Sequence, residues 1–397
     1  MSDATLTSRD LLHTSLDLLK ALVGFDTVSR HSNLELIEFV EAFLATHDVP
    51  CRRIANADGS KSNLLARIGP AVEGGVVLSG HTDVVPVDGQ PWTSDPFTLT
   101  DKGDGRLYGR GSCDMKGFLA CALAQVPRWQ QLPLARPIYL AFSYDEEIGC
   151  LGAPSMIDRL MADEPRPNAV IIGEPTLMQP IVAQKGITTL RTTVTGKAAH
   201  SSQVNQGVSA IHVAARLVTR IEEIMAELVD EGAVEDVFNV PHSSLHVGRI
   251  EGGTAINIMA RECHFEWEIR HLPNDGFETV FQRFEQFAKS LEAELRERAP
   301  EVLIVTAPLV ETVPALADRD NAPALSLCRS LLDAPDAETG GVAYATEGGQ
   351  FQRAGLPTVI CGPGSIAQAH QPDEYIESDQ LAAGDRFMQR LGDRLKS

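Results

Sequence analysis

No run in this 397-residue chain approaches the roughly 18 consecutive apolar residues that a membrane-spanning helix needs. Nor does the opening segment, "MSDATLTSRDLLHTSLDLLKALVGFDTVSR", carry a basic stretch followed by a continuous apolar one, as a secretory leader would. Basic residues are scarce: 34 Lys and Arg stand against 54 Asp and Glu, for a net charge of −20. Such a chain repels polyphosphate backbones and anionic bilayers, so neither nucleic acid nor membrane is expected as a partner. The seven cysteines are odd in number and include no CxxC pair, which fits reduced thiols. Neither GxxxxGK(S/T) nor a strand-flanked GxGxxG is present, so "GDGRLYGRGSCDMKG" does not build a phosphate-binding enzyme. Internal repeats and low-complexity tracts are absent too. What survives is the expectation of a cytoplasmic protein acting on a small molecule.

What is present is ordinary for a globular chain: 43% hydrophobic and 22% charged residues, at a length that favours two or three domains. Leu12, Leu16, Leu19 and Val23 recur at helical spacing, and Ile37, Val40 and Leu44 repeat the pattern after "RHSN". Short apolar runs then alternate with helical ones: "NLLARIG", "GVVLSGHTD", residues 115–131, "PIYLAFSY" and "NAVIIGEP". Continuous apolarity marks these strands as buried, and the rhythm is α/β. After Gly186 the texture changes. "TTLRTTVTG" alternates like a half-exposed strand, and an amphipathic helix over 208–229 follows it. Strands "SSLHVGRI" and "CHFEWEIRHL", a helix over 275–297 and the strand "EVLIVTAP" complete the set. The order β-α-β-β-α-β is the ferredoxin-like α+β pattern. It predicts an inserted domain at 187–310 between two parts of a first domain, 1–186 and 311–397, the second holding "LPTVICGPG" and a terminal helix.

Five segments place ligand-type residues at or just after the end of an apolar strand or in a loop. They are His81 and Asp83 in "VVLSGHTD", Asp114 in "GRGSCDMKG", Glu146 and Glu147 in "SYDEE", Glu174 in "VIIGEP", and His370 in "GPGSIAQAHQPDEY". In an open α/β sheet such loops converge on the crevice at the carboxyl ends of the strands. Two imidazoles with several carboxylates make an N/O donor set suited to zinc, cobalt or manganese. One ion with three protein ligands and a water uses only part of the set. Two ions sharing Asp114 use it all: His81 and Glu174 complete one site, His370 and Glu147 the other. Asp83, two residues from His81, fits a carboxylate that orients the imidazole. Each segment alone has an ordinary reading: HxD by chance, a solvated loop histidine, EE as a solvated edge or helix start, GEP as a turn, Asp114 as a helix N-cap. Their joint occurrence in this order is what sets those readings aside.

Through "SGHTDVVPVDGQPWTSDPF", "LYGRGSCDMKG", "DEEIGCLGA", "GEPT", "GKAAHSS" and "GPGSIAQAHQPDEY", nearly the whole chain resembles one family. It is the family of dinuclear zinc aminoacylases and exopeptidases that includes acetylornithine deacetylase and succinyl-diaminopimelate desuccinylase. The last segment, with "ATEGG" at 345–349, resembles the acetylornithine deacetylase branch most. The resemblance implies a mixed-sheet, zinc-exopeptidase-like catalytic domain whose ferredoxin-like insert acts as a lid and dimerisation domain, giving a homodimer. It implies two zinc ions, with cobalt able to substitute, held by His81, Asp114, Glu147, Glu174 and His370. Glu146 is then the general base: Glu147 tied to a dication stays ionised, while its uncoordinated neighbour accepts a proton from a metal-bridging water. His200 of "GKAAHSS" corresponds to the histidine that stabilises the tetrahedral oxyanion, in some members across a dimer interface. Asn257 and Arg270 match the residues that grip the substrate carboxylate, for which a guanidinium fork is suited. Glu347 is placed to face the side-chain ammonium of ornithine, and Gly348 and Gly349 to permit close backbone approach.

The implied reaction is removal of the acetyl group from N2-acetyl-L-ornithine, giving L-ornithine and acetate for arginine biosynthesis, through a metal-bridging hydroxide. Two other readings compete with it. One is a different N-acyl amino acid hydrolase or dipeptidase of the same family. The other is a metal-stabilised binding protein without catalysis, which the presence of Glu146 beside a full ligand set disfavours.

Overall fold

The apolar runs form the interior of an eight-stranded mixed sheet in a computed structural model that describes residues 14–397. Its order from edge to edge is Cys51–Ala55, Ser62–Ile68, Ile138–Ser143, Val76–His81, Ala169–Pro175, Thr358–Gly362, Ile181–Gln184 and Gly340–Val342. Four of these strands are parallel: Val76–His81 pairs with Ile138–Ser143 and Ala169–Pro175, and the latter with Thr358–Gly362. Each of the four is buried along its whole length, as continuous apolarity dictates when both faces are covered. Their carboxyl ends therefore share one edge of the sheet.

Helix Lys116–Gln131 packs on this sheet and against helices Ser15–Val23 and Ser378–Leu395. The first helix starts at Thr14, whose hydroxyl accepts from the amide of Asp17 at 3.1 Å. Its buried stripe is Leu18, Leu19, Leu22 and Val23, whereas Leu16 is 46% exposed. The expected spacing is thus corrected at Leu16, while Leu19 and Val23 are buried as expected, and Leu12 lies outside the described residues. Burial of each of these leucines contributes about 1.5–3 kcal/mol of transfer free energy. The second helix, Leu34–Thr46, buries Ile37, Val40 and Leu44 as its periodicity requires.

The chain divides into two compact units. The first comprises the residues up to Val182, Asp318–Gly340 and Thr346–Ser397; the second comprises Ala183–Ala317 with Gly341–Ala345. In the second unit the antiparallel order is Ser244–Gly252, Glu262–His271, Gly186–Thr195, Leu303–Pro308. Helices Ala210–Glu231 and Phe277–Arg296 connect these strands in the ferredoxin-like β-α-β-β-α-β sequence. Strand Glu262–His271 alternates buried and part-exposed residues, sending Phe265, Trp267 and Ile269 into a core with Leu217 and Phe284. Among the described residues no helix is long and apolar enough to cross a membrane.

Candidate metal centre

His81 is the last residue of its strand, Glu174 the next to last of Ala169–Pro175, and Glu146 and Glu147 follow Ile138–Ser143 after two residues. Asp114 precedes helix Lys116–Gln131, whose N-cap position is Met115, so the aspartate is not the cap. The Asp114–Met115 peptide is cis. Two glycines let this helix start settle against the strand ends. A Cβ on Gly80 would lie 2.6 Å from the Met115 Cε, and one on Gly173 would lie 2.0 Å from the Phe118 ring. Because each glycine immediately precedes a ligand candidate, the close packing brings Asp114 to both His81 and Glu174.

The distances are short. His81 Nε2 lies 3.1 Å from Asp114 Oδ1 and 3.7 Å from Glu174 Oε1. Asp114 Oδ2 lies 3.5 Å from His370 Nε2, which is 3.0 Å from Glu147 Oε2. Ligand atoms of His81, Glu146 and Glu174 fall within 4.8 Å of one another, as do those of His81, Asp114 and Glu147. The cluster is closed on the sheet side, where His81, Asp114 and Glu174 are buried, and open at His370, whose side chain is 51% exposed. All five expected ligands, and Glu146 with them, come together.

Four carboxylates therefore crowd two imidazoles in a cleft that is largely buried and opens to solvent at His370. Burial, with Asp114 nearby, raises Glu174 well above the ordinary carboxylate range. Burial also raises Glu146 far, opposed by His81 and reinforced by Glu147 and Asp114. The same desolvation pushes Glu147 up to about 7. Asp114 resists burial because His370 and His81 both hydrogen-bond to it, and its carboxyl is held low. His370, bonded to Asp114 and Glu147, rises to about 10. Such proton hunger marks a donor set short of positive charge, and divalent cations of the borderline kind supply it to N/O ligands. The residues present fit a metal.

The model of peptidase family M20/M25/M40 matches residues 77–394. The chain belongs to that family. It is 34% identical over 389 residues to the acetylornithine deacetylase of Pasteurella multocida (strain Pm70), covering 95% of this chain and 96% of that one. It is 37% identical over 319 residues to the acetylornithine deacetylase of Shigella sonnei (strain Ss046), covering 80% and 79%. Among solved structures, a tripeptidase from Staphylococcus aureus matches with a TM-score of 0.74 at 20% identity, over 96% of this chain and 99% of that one. A dinuclear metal-binding peptidase of the M20 family from Bacillus subtilis matches with a TM-score of 0.65 at 13% identity, over 96% and 97%. These two likenesses show the fold. Family membership makes this M20 chain a metal-dependent hydrolase.

Several residues that the motifs did not single out hold the M20 cluster in place. His81 Nδ1 donates to the backbone carbonyl of Asp83 at 2.8 Å, which turns Nε2 towards Asp114 as the ligand atom. The Asp83 carboxylate, 3.7 Å from the imidazole, instead accepts from the amides of Glu146 at 3.1 Å and Glu147 at 3.3 Å, and from Ser29 Oγ at 2.7 Å. The expected orientation of the ring by that carboxylate is therefore corrected: the carbonyl of Asp83 orients His81, and its side chain orients the acid pair. Asp145, in the left-handed region at φ 56°, is paired with Lys61, whose Nζ also donates to the Ser29 carbonyl. Nothing in "KSN" or "TVSR" signals these roles, because their partners lie far away in the chain.

His200, Asn257 and Arg270 belong to the second unit. His200 and Asn257 are exposed on the second unit, on segments joined by the Ser201 amide donating to the Asn257 carbonyl at 3.0 Å. His200 Nδ1 shares a hydrogen bond of 2.8 Å with Ser202 Oγ. Arg270 is engaged: Nε lies 2.8 Å from Glu268 Oε1 and Nη1 donates to the Ala343 carbonyl at 3.1 Å. Glu347, in the first unit, is 1% exposed, and its Oε2 accepts from Ser79 Oγ at 2.8 Å. Gly348 and Gly349 are buried at the start of the short helix Gly348–Arg353.

Proposed function

We propose that this chain removes the acetyl group from N2-acetyl-L-ornithine, releasing acetate and L-ornithine, and so serves arginine biosynthesis. Likeness to acetylornithine deacetylases over nearly the whole chain supports the substrate. The observation that carries the chemistry is the attitude of Asp114. Its two carboxylate oxygens face different imidazoles, Oδ1 towards His81 and Oδ2 towards His370, as expected of a carboxylate shared between two cations. His81 and Glu174 would complete one site, His370 and Glu147 the other. Zinc is the proposed ion, with cobalt able to substitute, since imidazole and carboxylate donors suit both.

When bound, the cations would polarise the amide carbonyl and make water nucleophilic at neutral pH. Glu146 takes a proton from the attacking water and delivers it to the departing nitrogen as the carbon–nitrogen bond breaks. Its place is fixed through its amide, bonded to Asp83, and its Oε1 lies 3.4 Å from Cys150 Sγ. The desolvation that raises its proton affinity suits an acid–base role. We assign oxyanion stabilisation to His200 and substrate-carboxylate binding to Asn257 and Arg270, the latter exchanging Glu268 for the substrate. In this reading the second unit serves as lid and as the surface of a homodimer. Glu347, sealed beside Ser79, is left out of the substrate contacts.

Hydrolysis of N-acetyl-L-ornithine by the purified protein, with metal counted in the same sample, tests this. The expected result is about two cations per chain and a kcat/KM for N-acetyl-L-ornithine above those for N-acetyl-methionine, N-succinyl-diaminopimelate and dipeptides. A dipeptide preference would move the assignment to another branch of the family. Full metal loading without hydrolysis of any of them would leave a binding protein.

A further inference from the structure

We infer that Glu374, paired with Arg110 and linked through Gln90, is the positioning residue that holds the Asp114 and His370 ligands in register, an inference that rests on the metal-centre reading above. Glu374 and Arg110 are each 1% exposed, with Nη1 2.7 Å from Oε2. The Glu374 carboxylate is surrounded by the backbone of the loop that carries Asp114. Oε1 accepts from the amides of Cys113 at 2.9 Å and of Asp114 itself at 3.1 Å, and Oε2 accepts from the Gly111 amide at 3.1 Å. No helix or strand includes residues 109–114, so these buried amides have no ladder to join. One carboxylate satisfies three of them.

The other end of the brace reaches His370. Arg110 Nη2 donates to Gln90 Oε1 at 2.6 Å, and Gln90 Nε2 donates to the His370 carbonyl at 3.0 Å. His370 needs such support, because it sits in the left-handed region at φ 62° without being glycine. Glu374 lies four residues beyond it on the same segment. A single network thus runs from the backbone of one ligand to the backbone of the other, without touching the ligand side chains. An all-acceptor group is required at its centre: glutamine in place of Glu374 turns an NH2 towards either Arg110 or the loop amides, each of which is already a donor. Coordination tolerates displacements of only about 0.2 Å, so loss of the carboxylate is read at the cations.

The test strips metal from wild type, E374Q and Q90A with a chelator and titrates zinc back against a competing chromophoric chelator. The melting temperature of each metal-free protein is measured alongside. Cation affinity is expected to fall about 10–100-fold in E374Q, with kcat falling more than KM changes. Q90A leaves the buried pair intact and is expected to lose affinity by a smaller factor, about threefold to tenfold. It keeps the test decisive should E374Q fail to fold. Unchanged affinity in Q90A, or in an E374Q that is merely less stable without metal, would overturn the positioning role. A wild-type protein that takes up no cation would instead overturn the metal-centre reading, and this inference with it.

Discussion

In the sheet unit six ionisable side chains crowd one cleft, five of them largely buried and His370 half exposed, and the backbone beneath them is tied down; in the inserted unit the polar residues of interest stand at the surface or are already engaged. Asp83 holds the amides of Glu146 and Glu147, and Glu374 holds that of Asp114. By contrast, His200 bonds locally to Ser202, and Arg270 is satisfied by Glu268 and Ala343. The difference separates two kinds of site construction. Like charges that repel must be held by a rigid scaffold before a cation arrives, whereas groups that meet a substrate only transiently can remain solvated.

The most damaging change predicted on the sheet side is Glu146→Gln. The kcat should fall about 10²–10⁴-fold with metal content intact, and full activity would remove Glu146 from the chemistry. On the other side of the comparison, His200→Ala should lower kcat about 10²–10³-fold if this exposed imidazole donates to the oxyanion. Its metal content and melting temperature should not move; an unchanged kcat would leave the inserted unit without a chemical part. Next in size, Gly173→Ala drives a methyl into the Phe118 ring and should destabilise the protein by about 1–3 kcal/mol. A melting temperature equal to wild type would show that the helix start is not held against the strand ends.

The smallest expected effect is in pH dependence. Without metal, Glu147 is raised from 4.5 to about 7 and His370 from 6.5 to about 10. For such raised groups the stabilising contribution is full below the unfolded value and is lost as pH rises through the folded one. Metal-free protein therefore loses the Glu147 contribution as pH rises towards about 7 and the His370 contribution as it rises towards about 10. Bound cations replace those protons. The gap in melting temperature between loaded and chelated protein should widen from about pH 6 to about pH 8. A constant gap would mean that cations do not compete with these protons.

His81, Glu147 and Glu174 were legible because an apolar run that ends in an acid or imidazole marks a strand that delivers a polar group to one sheet edge. Family membership, the α/β class with its ferredoxin-like insert, and the hydrolase class follow the same legible signals. The supporting residues were not legible. Glu374 stands within "HQPDEY", yet its amide partners lie about 260 residues earlier in the chain, and backbone donors leave no side-chain pattern. The division of labour within Asp83, carbonyl to the ring and carboxylate to the acid pair, is likewise invisible to spacing. Periodicity also misjudged Leu16, since a nine-residue helix offers too few turns to fix its inward face. The return of residues 341–345 to the second unit has no local signature either.

Crystals grown in zinc, examined by anomalous diffraction at the metal edge, give the most direct measurement. Two peaks should appear, each about 2.0–2.2 Å from its imidazole and carboxylate donors, one beside His81 and Glu174, one beside Glu147 and His370, with Asp114 between them. A single peak, or peaks away from these five side chains, would contradict a shared dinuclear centre.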